Sequence, residues 1–294
     1  MTTDSKPTLT TTATDDGAVV AGPRPVRSLD LSARPVPTLG GMNRVVFGIE
    51  LRRIVRNRRT MIFVLVFPVV MFLFIASQIT GPNDSMAPAL ANVGSYIMVD
   101  MAIYGAIMAT TSAGATVSIE RASGWSRQLR LTPLSPTAYV LMKVFSALVV
   151  GFLATAVTFV VGAVTGKARM PLQAWLATGV IIVVGSLIFA ALGLFMGYLL
   201  PSENTMQFLG PILAVLAIFG GIFSAPVDPT SGFGRISSLT PIYGFAQIAH
   251  WPQTLTATGA HGQLLISWVV NVVVWAVVFV AGAVWRFRKD TARV

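Results

Sequence analysis

The stretch AWLATGVIIVVGSLIFAALGLFMGYL, from Ala174 to Leu199, contains no charged side chain. Wound as an α-helix rising ~1.5 Å per residue it would be about 39 Å long, more than the ~30 Å hydrocarbon core of a bilayer. It reads as a membrane-spanning helix. Five further apolar runs read the same way: about 61–79, 95–118, 139–161, 205–223 and 264–285. The predicted fold class is therefore an all-α membrane protein with six transmembrane helices.

Composition agrees with that reading. Of 294 residues 54% are hydrophobic and 11% charged, with a mean hydropathy of +0.73, whereas soluble domains are ~25% charged. Of 32 charged side chains (21 basic plus 11 acidic), 15 precede Thr60 and 5 follow Trp285, which leaves 12 for the residues between. The absence of cysteine excludes disulfide scaffolds, thiolate metal sites and cysteine nucleophiles. A net charge of +10 is compatible with nucleic-acid binding, but its placement points to an anionic membrane leaflet. With six spans and both termini inside, only Lys167, Arg169 and Arg235 of the 21 basic residues face outward, as the positive-inside rule requires. The expected location is the cell (inner or plasma) membrane, as a multi-pass protein with both termini cytoplasmic.

Outside the spans the chain divides readily. Residues 1–40 are rich in Thr, Pro, Asp and Ala and read as a disordered cytosolic tail with no signal peptide. Residues 41–60 contain MNRVVFGIELRRIVRNRR, from Met42 to Arg59. On a helical wheel Phe47, Leu51, Ile54 and Val55 fall on one side and Glu50, Arg52, Arg53 and Arg56 largely opposite, predicting an amphipathic helix in the inner headgroup layer. The spans occupy 61–285, and 286–294 form a basic cytosolic tail. Within the spans, Pro68 is expected to kink the first. MATTSAGATVS, from Met108 to Ser118, is expected to form a close helix contact, as are Gly193 and Gly197 one turn apart. Between the fifth and sixth spans ISSLTPIYGFAQIAHW, from Ile236 to Trp251, is too apolar for a wet loop and too short to cross. It predicts a re-entrant or interfacial hairpin broken at Pro241 and Gly244.

One polar segment between spans is long and distinctive: ERASGWSRQLRLTPLSP, Glu120 to Pro136. This string resembles the signature that follows the second span in type-2 ATP-binding-cassette (ABC) exporter permeases. Its pattern there is an acidic-basic pair, a glycine, a leucine-arginine pair and a Thr-Pro. The resemblance extends over about 42–285, including GPILAVLAIFGGIFSAPVDP, from Gly210, followed by SSLTPIYGF, from Ser237. It implies that Glu120, Arg121, Gly124, Leu129, Arg130, Thr132 and Pro133 form the contact with an ATPase subunit. It also implies that the helix bearing Arg52, Arg53 and Arg56 is the connecting helix beside that contact. The implied partners are an ABC ATPase subunit, a second permease chain in a homo- or heterodimer, the lipid bilayer and an amphipathic cargo. ATP and magnesium would sit on the ATPase, with no cofactor on this chain and no nucleic acid bound.

The remaining candidates are weaker. Gly162–Ala168 superficially resembles a P-loop but has three residues between its glycines and no Ser or Thr after Lys167. Asp100 is the acid inside a predicted span, read either as an interfacial carboxylate or as a candidate cargo contact. Glu203 reads as a helix cap or ATPase-facing acid. His250 and His261 show no nearby acid in the sequence and no ligand-like spacing, so no metal site is expected. Trp175, Trp251, Trp268 and Trp285 read as interface residues. With no other charge cluster legible in the spans, the cargo is expected to be amphipathic or lipid-like. The alternative class is a secondary carrier or channel working without an ATPase, which would require paired broken helices and midplane ionisable groups.

Overall fold

Proline decides how the first apolar run folds. Helix α1 (Arg44–Arg56) and the short α2 (Arg58–Met61) lead into a π-helical turn, Ile62–Val66, and then α3 (Phe67–Gln78). Pro68 has no N–H to give the Val64 carbonyl four residues back, and the π turn immediately before it, with Phe67 N–H bonded to the Ile62 carbonyl, absorbs the mismatch. The Val64 carbonyl and the Pro68 ring instead lie against Gly105, where a Cβ would come within 3.2 Å and 3.1 Å of them.

The computed structural model describes residues 44–78, 90–124, 136–200, 202–223, 230–256, 258–260 and 262–291. The expected tail 1–40, the Gly81–Asp84 loop, Trp125 to Ser135 and His261 lie outside them. The remaining elements are α4 (Val93–Ala122), α5 (Pro136–Val164), α6 (Leu172–Gly185), α7 (Leu187–Leu199), α8 (Ser202–Phe219), α9 (Gly232–Ser238), α10 (Pro241–His250), a 3-10 turn (Trp251–Thr254) and α11 (Ile266–Thr291). Among the described residues all regular structure is helical.

Four helices are long and apolar enough to cross a membrane: α4, α5, the α6–α7 pair joined through a single turn at Ser186, and α11. The first and fifth apolar runs make shorter apolar helices, Ile62–Gln78 and Gln207–Phe219, about 26 Å and 20 Å at the standard rise. The fifth run, expected to continue to about Phe223, stops at Phe219 because Gly221 takes φ +86°. Ile222 N–H then bonds the Ala217 carbonyl at 3.0 Å and Gly221 N–H the Ile218 carbonyl at 3.2 Å, a Schellman closure that turns Ile222 into the core.

Helix α4 is the hub. Its apolar window is 78% buried against 11% for α11, so α4 lies inside the bundle and α11 at its margin. It packs on α3, α5, α7 and α8. The contact with α7 is a backbone-to-backbone approach. A Cβ on Gly193 would collide with the Thr111 carbonyl, one on Gly114 with the Ala190 carbonyl, and one on Gly197 would sit 3.1 Å from the Ala115 carbonyl. These are the small residues expected to bring helices close. At the start of α4, Asn92 caps the helix by accepting Ser95 N–H (2.9 Å). It also ties the helix to the α5–α6 connection through Arg169 N–H (2.7 Å) and the Lys167 carbonyl (2.8 Å).

The segment before the last span differs in detail from expectation. Pro241 opens α10 at its first position, and the break lies just before it at Leu239–Thr240. Gly244 is not a break. It lies mid-helix where a Cβ would come within 2.6 Å of the Trp268 carbonyl, so it permits α10 to lie on α11. Eight residues of α10, among them Ile242, Tyr243, Phe245 and His250, are buried, and Asn271 of α11 donates to the Ser238 carbonyl (2.8 Å) and the Thr240 carbonyl (3.2 Å) at the end of α9.

The same substitution should act oppositely at two glycines. Gly193→Ala forces α4 and α7 apart and should cost about 1–3 kcal/mol as an overpacked contact. Gly210→Ala, where nothing lies within 4 Å of the new methyl, should be neutral or stabilise α8 by up to about 1 kcal/mol. Thermal unfolding of the two purified variants in detergent checks the pair.

Candidate functional site

Three helices each bring two polar side chains, one turn apart, to one point. Helix α1 supplies Glu50 and Arg53, the last turns of α4 supply Thr116 and Glu120, and the first turns of α5 supply Tyr139 and Lys143. Lys143 is the common member. Its ammonium donates to both carboxylates, Glu50 and Glu120, and to Thr116 Oγ1 at 3.1 Å. Arg53 donates to Glu120 and, at 3.3 Å, to Glu50. The Tyr139 hydroxyl donates to the other Glu120 oxygen. Two carboxylates thus face two cations, and the group is neutral as a whole.

That balance is what allows burial. Glu50, Glu120 and Lys143 are 7%, 4% and 2% exposed, and an ion so far from water is tolerated only with its charge paired and its hydrogen bonds made. Burial pulls the Arg53 pKa down, but the Glu120 hydrogen bond and the nearby Glu120 and Glu50 charges outweigh it, so the guanidinium is held more firmly charged than usual. The arrangement fixes which face of α1 turns inward. Phe47, Glu50, Leu51 and Ile54 are buried or half-buried while Val55 is 45% exposed, so Glu50, assigned by the wheel to the polar face, has changed places with Val55. The ion pair is the reason, because an acid facing Lys143 is worth more to the helix than one more apolar contact.

The expectation that the spans hold no further charge cluster is corrected by this group, in which Lys143 lies one turn inside the third predicted span. Of the residues expected to meet the ATPase, Glu120 is buried at the centre of the network. Arg121 occupies the last turn of α4, and Gly124 follows it with φ +70°, a left-handed turn that leads the chain out of the helix. Leu129, Arg130, Thr132 and Pro133 lie outside the described residues. Arg52 and Arg56 are exposed on α1. The sequence reading missed Lys143, Tyr139 and Thr116. A lone cation within an otherwise apolar run was the one available signal for the first.

Beside the cluster opens a cavity of about 710 Å³ between α1, the first apolar helix, α4 and α8. Arg53, Glu120, Thr116, Ser112 and Gln207 give it a polar side, and Phe63, Val64, Met108, Leu209 and Pro211 an apolar one. Its size is that of a small-molecule site.

A second buried polar group lies near the N-terminal end of α4. Asp100, read either as an interfacial carboxylate or as a cargo contact, is only 4% exposed and turns inward to His250 of α10, Oδ1 to Nε2 at 2.9 Å. The expectation that His250 has no acid nearby is thereby corrected. The two are 150 positions apart and meet only because α10 packs on α4. His250 also meets Gln253 and stacks on Tyr96. Among the described residues no His, Cys, Asp or Glu group could hold a metal.

Comparison with known proteins matches this architecture to a class. The sequence profile described as "ABC-2 family transporter protein" matches residues 77–284, more than half of the chain. The chain also resembles the protein named "Putative transport permease YvfS" of Bacillus subtilis (strain 168), with 25% identity over 175 residues, 59% of this chain and 70% of that protein. The chain belongs to the ABC-2 transporter family, as a multi-pass membrane permease of the kind that works with an ABC ATPase.

The central cation should be the most sensitive position in the cluster. Lys143→Met leaves two buried carboxylates facing each other with one partly exposed arginine, and should cost about 3–5 kcal/mol. Adding Glu50→Gln should return part of that loss, so the double variant is more stable than the sum of the singles implies. Thermal unfolding of the four proteins in a double-mutant cycle measures it.

Proposed function

We propose that this permease is the membrane half of an ATP-driven exporter that moves an amphipathic or hydrophobic cargo out of the cytoplasm. A drug, antibiotic, lipid or lipid-linked glycan is the class of molecule that fits. The observation that carries this reading is the ion cluster. Residues 120–136 leave α4 at Glu120 and re-enter the bundle at the start of α5, and the cluster fastens both ends of that connector to each other and to α1. A separate ATPase, carrying ATP and magnesium, grips the connector through Arg121, Gly124, Leu129, Arg130, Thr132 and Pro133. Closure of the ATPase dimer pushes on it, and because its two ends and α1 are joined through Lys143 and Glu120, the three helices move together. Glu120 acts as the anchor of the lever with Arg53 bound to it, and Arg52 and Arg56 hold α1 along the inner headgroups.

The cavity supports the cargo class. Its polar side, at Arg53 and Glu120, suits a headgroup, and its apolar side, between Phe63, Met108 and Leu209, suits a hydrophobic body. It adjoins both the cluster and α1, so movement of the lever changes its walls. Two such chains and two ATPase subunits make the complex, in the cell membrane with both termini cytoplasmic. In this topology the helices Ile62–Gln78 and Gln207–Phe219 complete six spans with the four longer ones. The α9–α10 hairpin enters the membrane from outside, a reading supported by the burial of α10 against α4 and α11.

Two measurements test the proposal. In liposomes with the partner ATPase, Arg130→Glu and Glu120→Gln should retain ATP hydrolysis while transport of a fluorescent amphiphile falls by about tenfold or more, a loss of about 1.4 kcal/mol of coupling. Unchanged transport in both would remove the connector from the mechanism. Reporter fusions should read outside at Gly81, Arg169 and Ala257 and inside at Trp125, and the reverse pattern would discard the topology.

A further inference from the structure

We propose that Asp100 and His250 hold one shared proton, and that this proton latches the α10 hairpin to α4. The argument begins at an atom that can only accept. The Ser95 carbonyl lies 3.0 Å from Gln253 Nε2 and takes its proton, which fixes the orientation of the Gln253 amide. Gln253 Oε1 then faces His250 Nδ1 at 2.8 Å. An amide oxygen cannot donate, so Nδ1 carries a hydrogen. On the other side of the ring Nε2 is 2.9 Å from Asp100 Oδ1.

Two arrangements satisfy both contacts and leave the pair neutral. Either the imidazolium donates from Nε2 to the carboxylate, or the protonated carboxyl donates to a neutral Nε2. Both hold the same number of protons and leave the pair without net charge. With one proton fewer, the pair is a carboxylate beside an imidazole whose single hydrogen, on Nε2, sets the bare Nδ1 lone pair against the Gln253 oxygen or, on Nδ1, sets the bare Nε2 lone pair against the carboxylate. Either form would also strand one negative charge at a site where Asp100 and His250 are 4% and 5% exposed, which is costly away from water. Hydrogen-bond geometry and charge balance therefore require the same proton independently.

The surroundings fit a pair that is neutral as a whole. Tyr96 stacks on His250 with centroids 3.7 Å apart and planes within 9°, presenting a π face to the ring. Of the titratable groups facing the pair, Tyr96 comes from α4 and Tyr243 from α10, while the Gly220–Gly221 turn contributes none. Lys167, on the neighbouring α5–α6 connection, donates to the Ala76 carbonyl at 3.2 Å. Asp100 belongs to α4, His250 ends α10, and Gln253 belongs to the 3-10 turn that follows, so the proton joins the hairpin to the hub helix. When it leaves to water, the Gln253 contact turns repulsive, Asp100 is left as an unpaired buried carboxylate, and the hairpin is released. That the latch lies toward the outer side, where release would open the exit, rests on the topology proposed above. The proton itself does not.

The chain has two histidines, so His261→Gln leaves His250 as the single one, with the Asp100 pair untouched. In that full chain, labelled with ¹⁵N-histidine in lipid nanodiscs near pH 7, Nδ1 should show a bonded proton. A bare Nδ1 overturns the proposal. Asp100→Asn reproduces the neutral acid, since its amide donates to Nε2, and should keep the thermal midpoint. Asp100→Ala should lower it by about 5 °C or more. Equal loss in both variants refutes the latch. A reporter at Ala257 reading inside would remove only the outer placement and leave the nitrogen signal as it stands.

Discussion

A lysine held out of water between two glutamates organises the end of the bundle where α1, the last turns of α4 and the first turns of α5 meet. Lys143 can be buried only because Glu50 and Glu120 neutralise it, and those carboxylates tolerate burial only because Arg53 supplies the second positive charge. Each group comes from a different helix or a different turn, so no helix can shift without uncovering a charge. The three helices are bound less by attraction in the ordinary sense than by the penalty of separation. A joint of that kind suits a part that must move as one piece, because it resists partial opening more than it adds to net stability.

The second constraint is the close approach of α4 to α7. In a lipid environment apolar side chains gain little by meeting one another, and the favourable contacts are close backbone packing and polar pairs. Gly114 and Gly193 permit the first by removing the atoms that would keep the backbones apart. Asp100 with His250, and the Lys143 cluster, provide the second near the two ends of α4. The hub helix is thus pinned at both ends by polar groups and along its middle by glycine contacts. The cavity lies between its C-terminal half and α8, where Pro211 and Gly210 interrupt close packing.

Much of this was legible in the amino-acid order. The four long apolar helices, the close-packing glycines on α7 and the helix across Arg44–Arg56 follow from patterns that repeat over one or two turns of chain. The exact end of α8 and the place of the hairpin break were less legible, since they depend on the left-handed turn at Gly221 and on Pro241 serving as a helix opener. Glu50 was misplaced on the wheel for a different reason. Amphipathicity assumes that polar residues face solvent, and a buried ion partner reverses that assumption.

Sequence alone determined that the chain belongs in a bilayer and which segments are apolar enough to enter it, because transfer from water to hydrocarbon is a local property summed along the chain. Only the tertiary structure decided which charges meet. Glu50 and Lys143 are 93 positions apart, and Asp100 and His250 are 150 apart. No periodicity links such residues. Their pairing is set by how helices cross within a low-dielectric interior, where a charge without its partner is far more costly than at the surface.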